Sequence, residues 1–122
     1  MGEPDKKEKE TGETYRELKK IALEEFPGTV NGARIEREPG ETPRNLRIFL
    51  TDGSFLDIWI SGNDYSYHRE SENIIRWDNA PHHDTETHPH HVHREGEIES
   101  SDLEGNPKED IRKVLTWLGT RT

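Results

Sequence analysis

The sequence predicts an α+β fold: an antiparallel meander sheet of about five to six strands, flanked by an N-terminal and a C-terminal helix. Three observations predict it. Apolar residues recur at helical spacing only near the two ends, as Tyr15, Leu18, Ile21, Ala22 and Phe26 and again as Ile111, Val114, Leu115 and Leu118. Between them, Leu46, Ile48 and Leu50, then Leu56, Ile58 and Ile60, alternate with other residues at the period of a strand. The alternating stretches are joined by short turn signals, which favours neighbouring strands running in opposite directions.

Each element follows from its residues. Residues 1–12 carry charges, glycine and proline with no apolar anchor beyond Met1, and read as a tail; 13–120 read as a single domain. Thr14 and Glu17 form a capping-box pattern for the first helix, which Pro27-Gly28 ends. Thr29 to Glu38 can form a first strand, closed by the loop from Pro39 to Pro43. Asp52-Gly53 is a two-residue turn signal whose residues both tolerate positive φ. Gly62-Asn63-Asp64 leads into a strand from Tyr65 to Arg69, and a loop around Glu70 to Glu72 leads into one from Asn73 to Trp77. From Asp78 to about Glu95 the pattern breaks, because Pro81 and Pro89 forbid regular pairing, and a short strand resumes near Val92 and runs to Ile98. Asn106 then caps the last helix, with Pro107 in its first turn and Glu109 completing the cap.

Composition removes several classes of function. Cysteine is absent, so there is no disulfide, thiol nucleophile or thiolate metal site. Apolar runs are too short to span a membrane, and the start of the chain lacks the apolar core of a signal peptide, so a cytoplasmic protein without a membrane partner is expected. The net charge of −9 opposes diffuse binding to nucleic acid without excluding a local basic site, and it also suits a salt-rich cytoplasm.

Six of the seven histidines fall between Arg76 and His93. The run Arg76-Trp77-Asp78-Asn79-Ala80-Pro81-His82-His83 is followed, after an acidic spacer, by His88-Pro89-His90-His91-Val92-His93. Imidazoles fill cores poorly, because they need hydrogen-bond partners when buried, so this density points to chemistry, metal or a solvated loop. Histidine titrates near ~6.5 and can act as base or acid near neutrality. Candidate catalytic residues are therefore His82, His83, His90, His91 and His93, with Arg76 as a phosphate-binding fork and Asp78 as the carboxylate that orients a histidine. Tyr65, Tyr67, His68, Trp77 and Asn79 are candidate substrate contacts, the aromatics by ring stacking. Each also has a bland reading: the tyrosines and Trp77 as core, His68 and Arg76 as surface, Asp78-Asn79 as a turn.

The stretches Asp52-Gly53-Ser54-Phe55-Leu56, Tyr65-Ser66-Tyr67-His68, Arg76-Trp77-Asp78-Asn79-Ala80-Pro81-His82-His83 and Pro89-His90-His91-Val92-His93, in that order and at those spacings, resemble the TumE-type toxins of prokaryotic toxin–antitoxin systems, from about Arg44 to Leu118. The resemblance implies a bacterial or archaeal toxin encoded beside a small helix-turn-helix antitoxin and acting on RNA as a hydrolase-type ribonuclease. The residues themselves fit RNA cleavage with no cofactor, through base, acid and phosphate-binding cation.

Two other readings stay open. His91 and His93 share one face of an extended strand, and Glu97 lies further along it, a spacing similar to the first metal motif of cupins. That pattern would hold Zn or another divalent transition metal, although Thr85 stands where the motif has glycine and no second motif follows. The third reading is a non-catalytic module that binds a basic protein partner through the acidic surface and the histidines.

Overall fold

The computed structural model describes residues 6–71, 73–79 and 90–120. The element order is α1 (Lys6–Glu25), β1 (Val30–Arg37), β2 (Pro43–Leu50), β3 (Phe55–Ser61), β4 (Asp64–Glu70), β5 (Ile75–Asp78), β6 (His91–Arg94), β7 (Glu97–Ser100) and α2 (Pro107–Gly119). The seven strands form one antiparallel sheet in sequence order, so the meander is continuous from edge to edge. This is the expected architecture with a strand more than expected.

Both helices lie on one face of the sheet. α1 packs on β1, β2 and β3, and α2 lies beside it, joined by the paired hydrogen bonds of Arg112 to Glu25, 2.9 and 2.9 Å. The helical stripes named above are buried against Leu46, Ile48, Leu56, Ile58, Tyr67 and Trp77 of the sheet. Tyr15 ties α1 to two strands: its hydroxyl donates to the Arg44 carbonyl and accepts from the Ile60 N–H. No described helix is long and apolar enough to cross a membrane.

Four local expectations change. The first helix starts at Lys6, so Thr14 and Glu17 sit inside it and form no cap, and residues 6–12 are not tail. Lysine and glutamate are good helix formers, and Lys6/Glu10 and Lys9/Glu13 have the spacing of favourable pairs. Gly12 is buried where this first part of the helix passes Pro43.

The turn after β2 has positive φ at Gly53 alone, with the Gly53 N–H bonded to the Leu50 carbonyl. That is a turn closed by a glycine bulge rather than a two-residue hairpin loop. Between β3 and β4, by contrast, Ser61 faces Asp64 directly and Gly62 takes the positive φ, a two-residue turn.

The strand expected from Val92 to Ile98 is two strands. Glu95 and Gly96 both have positive φ, 53° and 81°, which is the type I′ hairpin requirement. The chain therefore reverses there, and Glu97 belongs to β7.

The C-terminal helix starts as its sequence requires, with the Asn106 side chain accepting from the Glu109 N–H. A further device was not legible. The buried Asp110 carboxylate accepts the N–H groups of Glu104 and Gly105 and so fixes the loop entering α2. Burial holds this carboxyl above its ordinary range, with the two N–H donors opposing the shift.

Candidate active site on the open sheet face

The face of the sheet away from the helices is built by strand register. Residues directly opposite one another in an antiparallel ladder point to the same side. Reading across, Arg34, Arg47, Asp57, His68, Arg76, His93 and Ile98 stand in one row over all seven strands. A second row runs Trp59, Ser66, Asp78, His91 and Ser100. Where the rows cross β5 and β6, four of the candidate residues meet: Arg76, Asp78, His91 and His93.

Asp78 is the hub. Arg76 Nε lies 2.8 Å from its Oδ2, His91 Nε2 lies 2.5 Å from its Oδ1, and His93 Nε2 lies 3.6 Å from Oδ2. Arg76 Nη2 also reaches His93 Nε2 at 3.2 Å. The imidazoles of His91 and His93 meet edge to face, 4.8 Å between centroids.

These contacts are consistent with one arrangement of the hydrogens. Arginine only donates, so the His93 Nε2 that accepts from Arg76 presents a lone pair. A carboxylate only accepts, so the His68 Nε2, 2.7 Å from Glu70, carries a hydrogen. At 2.5 Å, His91 Nε2 and Asp78 Oδ1 need a hydrogen between them.

Exposure separates the roles. The His91 side chain is fully buried and that of Asp78 is 10% exposed, whereas Arg76, His93 and His68 are 44%, 23% and 26% exposed. The last three stand side by side on β4, β5 and β6. With neighbouring strands about 4.8 Å apart, His68 and His93 are separated by about 10 Å at the backbone, with Arg76 between them.

The rest of the candidate set lies elsewhere. Tyr65, Tyr67 and Trp77 are on the helix-bearing face and buried, with Trp77 edge to face on Trp117 at 5.6 Å. None of them can offer a ring to a base on the open face. Burial also pushes both tyrosine hydroxyls above their ordinary range. His90 points to that face too: it stacks on Tyr65, whose hydroxyl is 2.8 Å from its Nδ1. Asn79 ties the end of β5 to the start of β4, its Oδ1 accepting from the Tyr65 N–H and its Nδ2 donating to the Asn63 carbonyl. His82 and His83 lie outside the described residues.

Glu97 is the clear correction. It is opposite Arg94, on the face away from His91 and His93, because the Glu95-Gly96 turn intervenes. The carboxylate beside the two histidines is Asp78, across the ladder, and these three side chains can present ligand atoms within 4.8 Å of one another.

Of the open-face residues, Trp59 is absent from the sequence reading, and His68, a candidate substrate contact there, is set by register directly beside Arg76. Trp59, 39% exposed, is the open-face aromatic in the Asp78 row. Nearby, Arg47 lies over the Phe55 ring at 4.1 Å and forms a two-bond pair with Asp57. A cavity of 390 Å³ opens on the opposite, helix-bearing face over Ile75, Trp77, Val92 and Trp117, and shares only Ser100 of β7 with the two rows.

Comparison with curated proteins and with solved structures gives no match. The family described as Toxin TumE matches residues 18–122, which takes in every strand, α2 and both histidine rows. The chain belongs to the TumE toxin family.

Proposed function

We propose that this toxin cleaves RNA without a metal, using His68, Arg76 and His93 as the reacting row and Asp78 and His91 as positioning residues. Membership of the family makes the chain the toxin component of a toxin–antitoxin pair, with an antitoxin as partner. The observation that carries the chemical reading is the register of His68, Arg76 and His93 on three adjacent strands. It puts an imidazole on each side of a guanidinium.

The mechanism follows from the hydrogens. A phosphodiester seated on Arg76 has two of its oxygens met by a planar, permanently charged fork. As Arg76 turns its Nη2 from His93 to the phosphate, the freed His93 Nε2 lone pair takes the proton of the adjacent 2′-hydroxyl while the 2′-oxygen attacks phosphorus. Arg76 stabilises the charge that gathers on the phosphorane oxygens. His68, acting as the imidazolium with a hydrogen on both ring nitrogens and Glu70 beside it, gives its Nε2 hydrogen to the departing 5′-oxygen and is left neutral. The products are a 2′,3′-cyclic phosphate and a free 5′-hydroxyl, and proton exchange with water restores both imidazoles.

Asp78 holds Arg76 through one oxygen and is itself held by buried His91 through the other. Trp59 is the ring available for base stacking, in place of the buried tyrosines. The cytoplasm is the compartment where such a toxin meets RNA. A helix-turn-helix antitoxin, basic because it binds DNA, would complement the net charge of −9.

Controlled expression tests this reading. Wild type is expected to arrest growth, with relief when the antitoxin gene is co-expressed, and Arg76→Ala is expected to lose the arrest while accumulating to the same level. Unimpaired growth with abundant folded wild type would refute the toxin activity. Full arrest by Arg76→Ala would refute the role given to the row.

A further inference from the structure

We propose that Asp78, His91 and His93 also form a site for a divalent transition-metal ion of the zinc class, which the ion and the Arg76 guanidinium occupy in alternation. The three side chains are set by one ladder: Asp78 is directly opposite His91, and His93 is two residues along the same strand face. Their ligand atoms lie within 4.8 Å of one another.

The spacing suits such an ion. Tetrahedral zinc, with bonds of about 2.0–2.1 Å, holds its ligand atoms about 3.3 Å apart. His93 Nε2, 3.6 Å from Asp78 Oδ2, is close to that value, whereas His91 Nε2, 2.5 Å from the other oxygen, Oδ1, would move outward by about 0.8 Å as an ion replaces the hydrogen between them. Two imidazoles and one carboxylate also select zinc, cobalt, nickel or iron over magnesium and calcium, which prefer oxygen. His91 is fully buried and Asp78 nearly so, which keeps water from competing for them.

Arg76 reveals the competition. Its Nε binds the Asp78 Oδ2 and its Nη2 binds the His93 Nε2, two of the lone-pair positions that a metal would take. A guanidinium and a dication cannot share them, because like charges at that distance repel. Arg76 is 44% exposed and can swing into solvent when the ion enters. Under the proposed ribonuclease activity, a bound ion would occupy the His93 lone pair and displace Arg76, so it would inhibit. That consequence rests on the proposed activity; the metal site does not.

Metal-stripped full-length protein is titrated with Zn²⁺ by calorimetry and with Co²⁺ by visible absorption, for wild type, Asp78→Asn, His93→Gln and Arg76→Ala. Circular dichroism establishes that each variant is folded. Wild type is expected to bind one ion with the intense d–d absorption of tetrahedral cobalt. Asp78→Asn and His93→Gln should weaken binding on the order of tenfold or more. Arg76→Ala should tighten it by up to about fivefold, the affinity that a part-exposed ion pair can withhold.

The chain has other histidines, and ions held by those would be indifferent to Asp78→Asn and to Arg76→Ala. Absence of binding, or binding equal in all four proteins, overturns the proposal. If Asp78→Asn does not fold, the part-exposed His93→Gln and Arg76→Ala decide it. Failure of RNA cleavage in a separate assay would count against the ribonuclease reading and leave these titrations intact.

Discussion

Replacing His93 by glutamine is expected to lower the rate of RNA cleavage by about 10²–10⁴-fold, the usual contribution of a positioned general base. Glutamine fills much the same space and can still accept from Arg76 through its amide oxygen, so the loss would reflect proton transfer rather than collapse of the row. The side chain is 23% exposed and outside the apolar core, so the thermal midpoint should barely move. Purified wild type and variant, compared by initial rates on a single-stranded RNA and by thermal unfolding, provide the check. An undiminished rate would remove His93 from the chemistry. A large fall in thermal midpoint would instead make His93 a structural residue.

Replacing Trp77 by alanine is expected to act in the opposite way, through the fold. Trp77 is 6% exposed, faces the helices and meets Trp117 edge to face. Deleting such a side chain costs about 3–5 kcal/mol, a third or more of the stability of many domains of this size. Urea unfolding should show a lower midpoint with an unchanged slope. The experiment also separates the two sequence readings of this tryptophan. A base-stacking residue would lose RNA affinity at constant stability, whereas the core residue loses stability first.

The helices and the first four strands were legible because their signals are local. Ile111, Val114, Leu115 and Leu118 fall on one helical stripe whatever surrounds them, and all four are buried. Leu46 to Ile60 alternate with a turn between, which marks the two strands, while the glycine bulge at Gly53 sets their register one residue from that of a two-residue turn. The early start of α1 was not legible, because Lys6 to Glu10 carry no apolar residue to mark a helical face. The split of the last strand was missed because Glu95 takes a positive φ that glutamate seldom adopts.

The site divides in the same manner. Arg76, Asp78, His91 and His93 were identifiable by residue type and by spacing within each segment. The pairing of Asp78 with His91 and of Arg76 with His93 spans a connection whose length does not specify a register. For the same reason the sequence could assign His90 and His91 to one cluster, although the strand period sends them to opposite faces. Glu97 looked like a ligand only while the strand was taken to continue past Gly96.

The most direct test of the account is cleavage of a single-stranded RNA by purified wild-type protein in excess chelator, with the new 3′ ends identified. Cleavage that persists and leaves 2′,3′-cyclic phosphates is the predicted result, because His93, Arg76 and His68 would supply base, cation and acid. Cleavage that stops in chelator and returns with added metal, or that leaves 3′-hydroxyl ends, would contradict it.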